Sequence, residues 1–208
     1  MTDEPLSFDL YHPEPLLVVI SGPSGVGKDA VVKALQQRNF PMHFVVTMTS
    51  RKPRDNEVDG VDYWFVTREK FEEMIRQDQF LEYANVYQDY KGIPRAQVAK
   101  ALESKKDVVL RLDVQGAKTI RKLFPESLLI FLIPSDKDEW LARLGNRGSE
   151  TAESLAIRLE TARHELKQIH EFDYIVVNAQ GQLEKTVDTL VSILVAEHHR
   201  VNPRKVNL

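Results

Sequence analysis

Cysteine is absent from the 208 residues. That excludes disulfide frameworks, thiolate zinc sites, iron–sulfur clusters and cysteine nucleophiles, and it fits a reducing compartment such as the cytoplasm. Long apolar runs are absent as well. The longest, Leu16 to Ile20 and Leu128 to Ile133, fall far short of the roughly 18 residues a membrane-spanning helix needs. An excess of positive charge is also lacking: 28 Lys and Arg against 31 Asp and Glu leave a net charge of -3. Neither nucleic acid nor a membrane is therefore expected as a partner, and any phosphate site must be local. The six histidines show no metal-ligand spacing, and His198-His199 reads as a solvated pair. Residues 1–15 carry Asp3, Glu4, Asp9 and Glu14 but no Lys or Arg, the opposite of a targeting peptide, and read as a flexible leader. Residues 201–208 read as a loose tail.

What is present is enough apolar content, 42% of residues, for one globular domain with excursions. Five short apolar runs, mostly β-branched and without alternation, fall at 16–21, 44–48, 108–114, 128–133 and 174–178. Such runs suit strands buried on both faces. Segments of helical period lie between and after them, at 28–37, 94–104, 117–124, 137–144, 152–170 and 182–197. The alternation predicts an α/β fold, a parallel five-stranded sheet with helices on both faces. Residues 50–92 break the rhythm, being polar, aromatic and turn-rich with a short helical stretch near 68–77, and read as an insertion between core segments 16–49 and 93–200. A second interruption, Gly145-Asn146-Arg147-Gly148-Ser149-Glu150, combines two glycines with a cation and marks a candidate lid at about 145–155.

Directly after the first strand stands Gly22-Pro23-Ser24-Gly25-Val26-Gly27-Lys28, a G-x-x-x-x-G-K phosphate loop followed by a helical pattern. Its glycines let successive N–H groups turn toward an anion, the helix N-terminus adds partial positive charge, and Lys28 reaches the outer phosphates. This predicts binding of a nucleoside triphosphate. The next position usually offers a Ser or Thr hydroxyl to Mg²⁺, but here it is Asp29. A carboxylate is a hard ligand suited to magnesium, yet beside a triphosphate it repels unless a cation neutralises it. Asp29 is thus the candidate metal ligand and a residue in need of a partner.

After the second strand come T-x-T-S-R-K-P-R (Thr47 to Arg54), E-V-D-G-V-D-Y-W-F-V (Glu57 to Val66), F-L-E-Y-A (Phe80 to Ala84) and L-D-V-Q-G-A (Leu112 to Ala117). With the phosphate loop, in this order, the chain closely resembles the guanylate kinase family over roughly Leu16 to Val195. The resemblance implies a P-loop nucleoside-monophosphate kinase fold with a GMP-binding insertion and a lid. It further implies transfer of the γ-phosphoryl group of ATP to GMP, and dGMP as well, with Mg²⁺, in purine nucleotide metabolism. By that resemblance Arg51, Arg54 and Tyr63 hold the GMP phosphate, a task that suits guanidinium forks. Glu82 and Asp113 stand at guanine-reading positions with Thr47 assisting, Glu57 matches without a derived task, and Asn178 borders adenine. Arg143, Arg147 and Arg158, with Arg163 beyond, match lid arginines that close over ATP. No oligomeric state is implied.

The chemistry agrees with that inventory. A phosphate monoester with second pKa near 6 is already a nucleophile at pH 7, so the reaction needs placed cations rather than a general base. Three departures carry information. Arg111 stands two residues before Asp113 where many members carry an acid, a charge swap that mirrors Asp29; the two are expected to pair. Lys91 replaces a tyrosine that touches the GMP phosphate, and Ile93 replaces a hydroxyl that helps read guanine, so binding is expected to lean on Glu82 and Lys91. After Asn178, Ala179 and Gln180 stand in place of two acids. Two alternatives remain at this point: a ribose bisphosphokinase-like enzyme, which shares the G-K-D loop, and a catalytically silent module that binds phosphopeptides through the same pocket.

Overall fold

A computed structural model describes residues 8–55, 57–86, 89–145 and 152–206. Among these the order is β1 (Leu17–Ser21), α1 (Lys28–Gln36), β2 (Met42–Phe44), β3 (Met48–Thr49), β4 (Trp64–Phe65), α2 (Arg68–Arg76), β5 (Phe80–Val86), β6 (Asp89–Pro94), α3 (Arg95–Glu103), β7 (Asp107–Arg111), α4 (Val114–Leu123), β8 (Leu128–Ile133), α5 (Lys137–Gly145), α6 (Ala152–Leu166), a 3-10 turn (Ile169–Glu171), β9 (Tyr174–Val177) and α7 (Leu183–His198). Five strands form one sheet in the order β2-β7-β1-β8-β9, every pairing parallel. The expected α/β architecture is present. The alternate residues Val18 and Ile20 face α1 and α7 with Val31, Leu35, Val187 and Leu190. Leu17 and Val19 face α3 and α4 with Val98, Ala101 and Ile120. Full burial of one such side chain contributes about 1.5–3 kcal/mol, so β1, buried on both faces, anchors the loop that leaves its end.

The second strand is displaced from its expected position at 44–48. Hydrogen bonding to β7 begins earlier, with Met42 opposite Asp107, and continues to the bond from Val45 N to Val109 O. The chain then crosses to a second sheet of order β4-β3-β6-β5, in which Met48 lies opposite Gly92. That sheet carries its own small core, with the Phe71 ring stacked on Phe80 at 4.3 Å and on Tyr90 at 5.2 Å. The helix expected at 117–124 starts earlier, at Val114, because Asp113 caps it by accepting from Gly116 N at 2.8 Å.

Two expectations about the chain end are corrected. His198 is not a solvated residue: its side chain is 15% exposed and its Nε2 lies 2.9 Å from the buried carboxylate of Asp107. The stretch 201–208 is not loose at Arg204, which is 8% exposed. Arg204 donates to Glu197 at 2.8 Å and to Ser127 O at 3.2 Å, and lies 3.5 Å from Asp173. The polar composition of this end reflects long-range ion pairs rather than solvation. No helix among the described residues is long and apolar enough to cross a membrane.

Candidate active site

The phosphate loop leaves β1 at Ser21 and enters α1 at Lys28. Gly22, Gly25 and Gly27 all have positive φ. At Gly27 (φ +97°) a side chain is excluded twice, by the backbone conformation and because its Cβ would come 2.6 Å from Asn178 Nδ2. The loop's carbonyls are held from outside. Trp140 Nε1 donates to Ser24 O at 2.8 Å, and Asn178 Nδ2 and Arg143 Nη1 donate to Val26 O at 2.7 and 3.1 Å. Lys28 Nζ donates to Gly22 O at 2.5 Å and to Pro23 O at 3.1 Å. With these carbonyls fixed, the curl keeps its amide side for an anion at the start of α1. Burial pushes the Lys28 ammonium down to about 8, against the pull of Glu165 and Asp29; a polyphosphate beside it favours the charged form.

Asn178 thus braces the loop, with its Oδ1 accepting from Thr186 at 3.1 Å and its own carbonyl accepting from Arg143 Nη2 at 2.8 Å. Arg143 is also ion-paired with Glu139. Arg158 lies on α6, whereas Arg147 and most of the expected lid at 145–155 fall outside the described residues.

Across from the loop, the second sheet and its approaches gather the other predicted residues. Arg51 meets Glu57 in a two-pronged bond at 2.7 and 2.5 Å. Burial opposes both charges, but the pair outweighs it, raising Arg51 and lowering Glu57. Glu57 also accepts from Arg54 N at 2.9 Å, which supplies the task its sequence match lacked: it shapes the S-R-K-P-R turn and aims Arg51. The Arg54 side chain is largely exposed. Tyr63 is buried, and three cations approach its ring, Arg111 at 4.4 Å, Arg51 at 5.0 Å and Lys91 at 5.6 Å from the centroid. Burial lowers the Lys91 ammonium below its ordinary range.

Glu82 is buried on β5, where burial, with Asp113 adding repulsion, pushes its carboxyl up to about 8. A Cβ on Gly116 would come 3.0 Å from that carboxyl group, so the first turn of α4 is close against it. The buried hydroxyl of Thr47 has no hydrogen-bond partner among the described residues. Ile93 is fully buried in the main core and offers nothing polar.

The two halves meet at Asp29 and Arg111. The expected pair is present, with Arg111 Nη1 donating to Asp29 at 2.8 Å, while Nη2 donates to Asp62 O at 2.9 Å. Lys33 on α1 adds an ion pair to Asp62 at 2.6 Å. Sequence reasoning missed Lys33, Asp62, Trp140 and Gly116 as site-shaping residues. It also missed Glu165, whose buried Oε2 lacks a hydrogen bond among the described residues and whose carboxyl burial pushes up to about 7, opposed by Lys28. Gly116 and Asp62 carried a signal, as parts of the L-D-V-Q-G-A and E-V-D-G-V-D-Y-W-F-V motifs; the others carried none.

A phosphate loop closing a parallel strand, with Arg51, Lys91 and Arg111 gathered on Tyr63 and a buried carboxyl on β5, defines the class of P-loop phosphotransferases. Comparison with known proteins narrows that class. Residues 14–197 match the family model described as guanylate kinase. The chain is 49% identical over 197 residues to guanylate kinase 2, chloroplastic/mitochondrial, of Oryza sativa subsp. japonica, covering 94% of this chain and 69% of that one. It is 45% identical over 193 residues to the guanylate kinase of Lactobacillus johnsonii, covering 92% and 93%. The crystal structure of guanylate kinase from Anaplasma phagocytophilum matches with a TM-score of 0.74 at 26% identity, covering 92% and 90%. The chain belongs to the guanylate kinase family and is an ATP:GMP phosphotransferase.

Proposed function

We propose that this guanylate kinase works with Mg²⁺, accepts dGMP as well as GMP, and serves purine nucleotide recycling. The observation that carries the reading of the acceptor is the buried Glu82 carboxyl beside Asp113 and the unpartnered Thr47 hydroxyl. Burying such groups costs free energy unless a ligand supplies complementary donors and acceptors. Guanine does so, since its N1–H and exocyclic amine donate to a carboxylate, whereas adenine has no N1 proton.

In this proposal the amides from Gly22 to Gly27 and Lys28 grip the β- and γ-phosphates of ATP. Arg143, Arg147 and Arg158 close over them, and Arg51, Arg54, Tyr63 and Lys91 hold the acceptor phosphate. These residues address phosphate and base, the parts dGMP shares with GMP. A phosphate oxygen of GMP attacks the γ-phosphorus as the bond to the β–γ bridging oxygen breaks, and no side chain needs to take a proton because the monoester is largely dianionic at pH 7. The work is positioning and cancellation of charge.

The donor set fits magnesium. Asp29 offers a hard oxygen beside Lys28, and Mg²⁺ keeps most of its shell as phosphate oxygens and water, so one carboxylate suffices. When bound, the ion screens the phosphates and so eases their approach.

The test is ADP release with GMP, dGMP, AMP, UMP and ribose 1,5-bisphosphate, each with Mg²⁺ and with chelator, for the wild type and Glu82→Gln. GMP and dGMP are expected to turn over and the others not. A rate with AMP equal to that with GMP, unaffected by Glu82→Gln, would overturn the assignment of the guanine site.

A further inference from the structure

Arg111 occupies a place for which neither the phosphate loop nor the acceptor pocket accounts. It ends β7, directly opposite Ile20 on β1, one residue before the strand that carries the phosphate loop ends. Its side chain is 13% exposed. One nitrogen of the fork is bonded to Asp29, next to Lys28 on the donor side, and the other to the carbonyl of Asp62, next to Tyr63 on the acceptor side. The guanidinium lies 4.4 Å from the centre of the Tyr63 ring. A cation so placed joins the phosphate-loop side of the site to the Tyr63 side.

We propose that Arg111 is a catalytic cation of this enzyme, held by Asp29 before the nucleotides bind and transferred to the migrating phosphoryl group once they do. Asp29 alone would add a negative charge beside the triphosphate, and Arg111 offsets it. Asp29 would hold the cation that accompanies ATP, and with its carboxylate so engaged the guanidinium would face the phosphate oxygens without its counter-charge. Five N–H donors in a planar fork suit it to take two of those oxygens while keeping the Asp62 carbonyl. The bond to the bridging oxygen breaks, the bond to the acceptor oxygen forms, and charge spreading over the equatorial oxygens meets a fixed positive group. The Asp29 and Arg111 replacements are then one device: the carboxylate that takes over the hydroxyl's metal role also parks an arginine at the reaction centre. The inference rests on the ATP and GMP assignment, which wild-type turnover checks separately.

The test compares Arg111→Met, Arg111→Lys, Asp29→Ser and Asp29→Ser/Arg111→Met with the wild type. Arg111→Met is expected to lower kcat on the order of 100-fold, as loss of a single transition-state donor does, with the KM for GMP changed by less than about threefold because the group acts in the transition state. The same fall in kcat is expected when Arg111→Met is added to Asp29→Ser. A readout apart from turnover is the tightening of ADP and GMP binding by aluminium fluoride, a mimic of the migrating phosphoryl group: Arg111→Met should abolish it while leaving GMP binding without fluoride intact. If Arg111→Met in the Asp29→Ser background leaves kcat within twofold, Arg111 merely neutralises Asp29 and the proposal fails. A raised GMP KM at unchanged kcat, the mark of a latch to the insertion, overturns it equally. Should Arg111→Met not fold, Arg111→Lys decides: an unchanged kcat at wild-type melting temperature refutes the role, and a fall of tenfold or more supports it.

Discussion

The donor and acceptor sides of the proposed site, each of which would hold a phosphate, are built from different materials. The donor side is backbone, a curl of loop whose carbonyls are held by Trp140, Arg143 and Asn178. The acceptor side is side chain, in which Arg51 is aimed by Glu57 and three cations surround Tyr63. Backbone cradles are set by φ and ψ and tolerate few substitutions at their glycines. Side-chain contacts are set by pairs that can be exchanged together, as Asp29 and Arg111 show where the two sides meet.

The largest effect should come from Lys28, the side chain proposed to grip the outer phosphates of ATP. Lys28→Met is expected to lower kcat by roughly 10³-fold or more, measured by coupled ADP release; a loss below tenfold would mean the backbone alone binds the phosphates. Next is Glu82→Gln, expected to lower kcat/KM for GMP by about 10- to 100-fold, the scale of one bidentate base contact.

Glu82 also gives a pH signature. Its folded pKa of about 8 lies above the ordinary 4.5, so between these values the folded state binds more protons than the unfolded one and stability falls as pH rises. Glu82→Gln should therefore melt several degrees above the wild type at pH 9, each 1 kcal/mol being roughly 2–4 °C at this size, and the gap should close toward pH 4. From pH 6.5 to 8.5 GMP affinity of the wild type should gain relative to that of the variant, since the carboxylate is the accepting form; calorimetry reads both.

Smaller effects separate the two materials more finely. Asn178→Ala strips a buried donor from the Val26 carbonyl, and should raise the KM for ATP about tenfold and destabilise by about 1–3 kcal/mol, leaving the KM for GMP unchanged. Gly116→Ala crowds the Glu82 carboxyl, 3.0 Å from the new methyl, and should raise the KM for GMP a few-fold. Stability should not fall, because alanine favours the helix by up to about 1 kcal/mol. If Asn178→Ala disturbed GMP as much as ATP, the division into two independently built halves would be wrong.

The donor side was legible in the sequence because it is contiguous: strand, loop and helix follow one another from Leu17 to Gln36. Its braces were not, since Trp140 reaches Ser24 across 116 residues with no pattern to announce it. On the acceptor side the resemblance supplied the residues, and the charge swap supplied the Asp29 and Arg111 contact. The second sheet escaped periodicity because β3 and β4 are two residues each, too short for an alternation to register. His198 read as solvated and Arg204 as part of a loose tail because a polar segment looks the same whether its partner is water or, for His198, an aspartate 91 residues away.

The strand order has a kinetic consequence. β1 is made first, yet its two neighbours, β7 and β8, pair with it through Leu17 with Val108 and Val18 with Leu128. Closing such distant parallel pairings is slow, because loop entropy is spent before contacts repay it. Until β8 arrives β1, buried along its whole length, has an open edge, and truncated forms ending ahead of Ile133 should self-associate rather than remain as soluble halves.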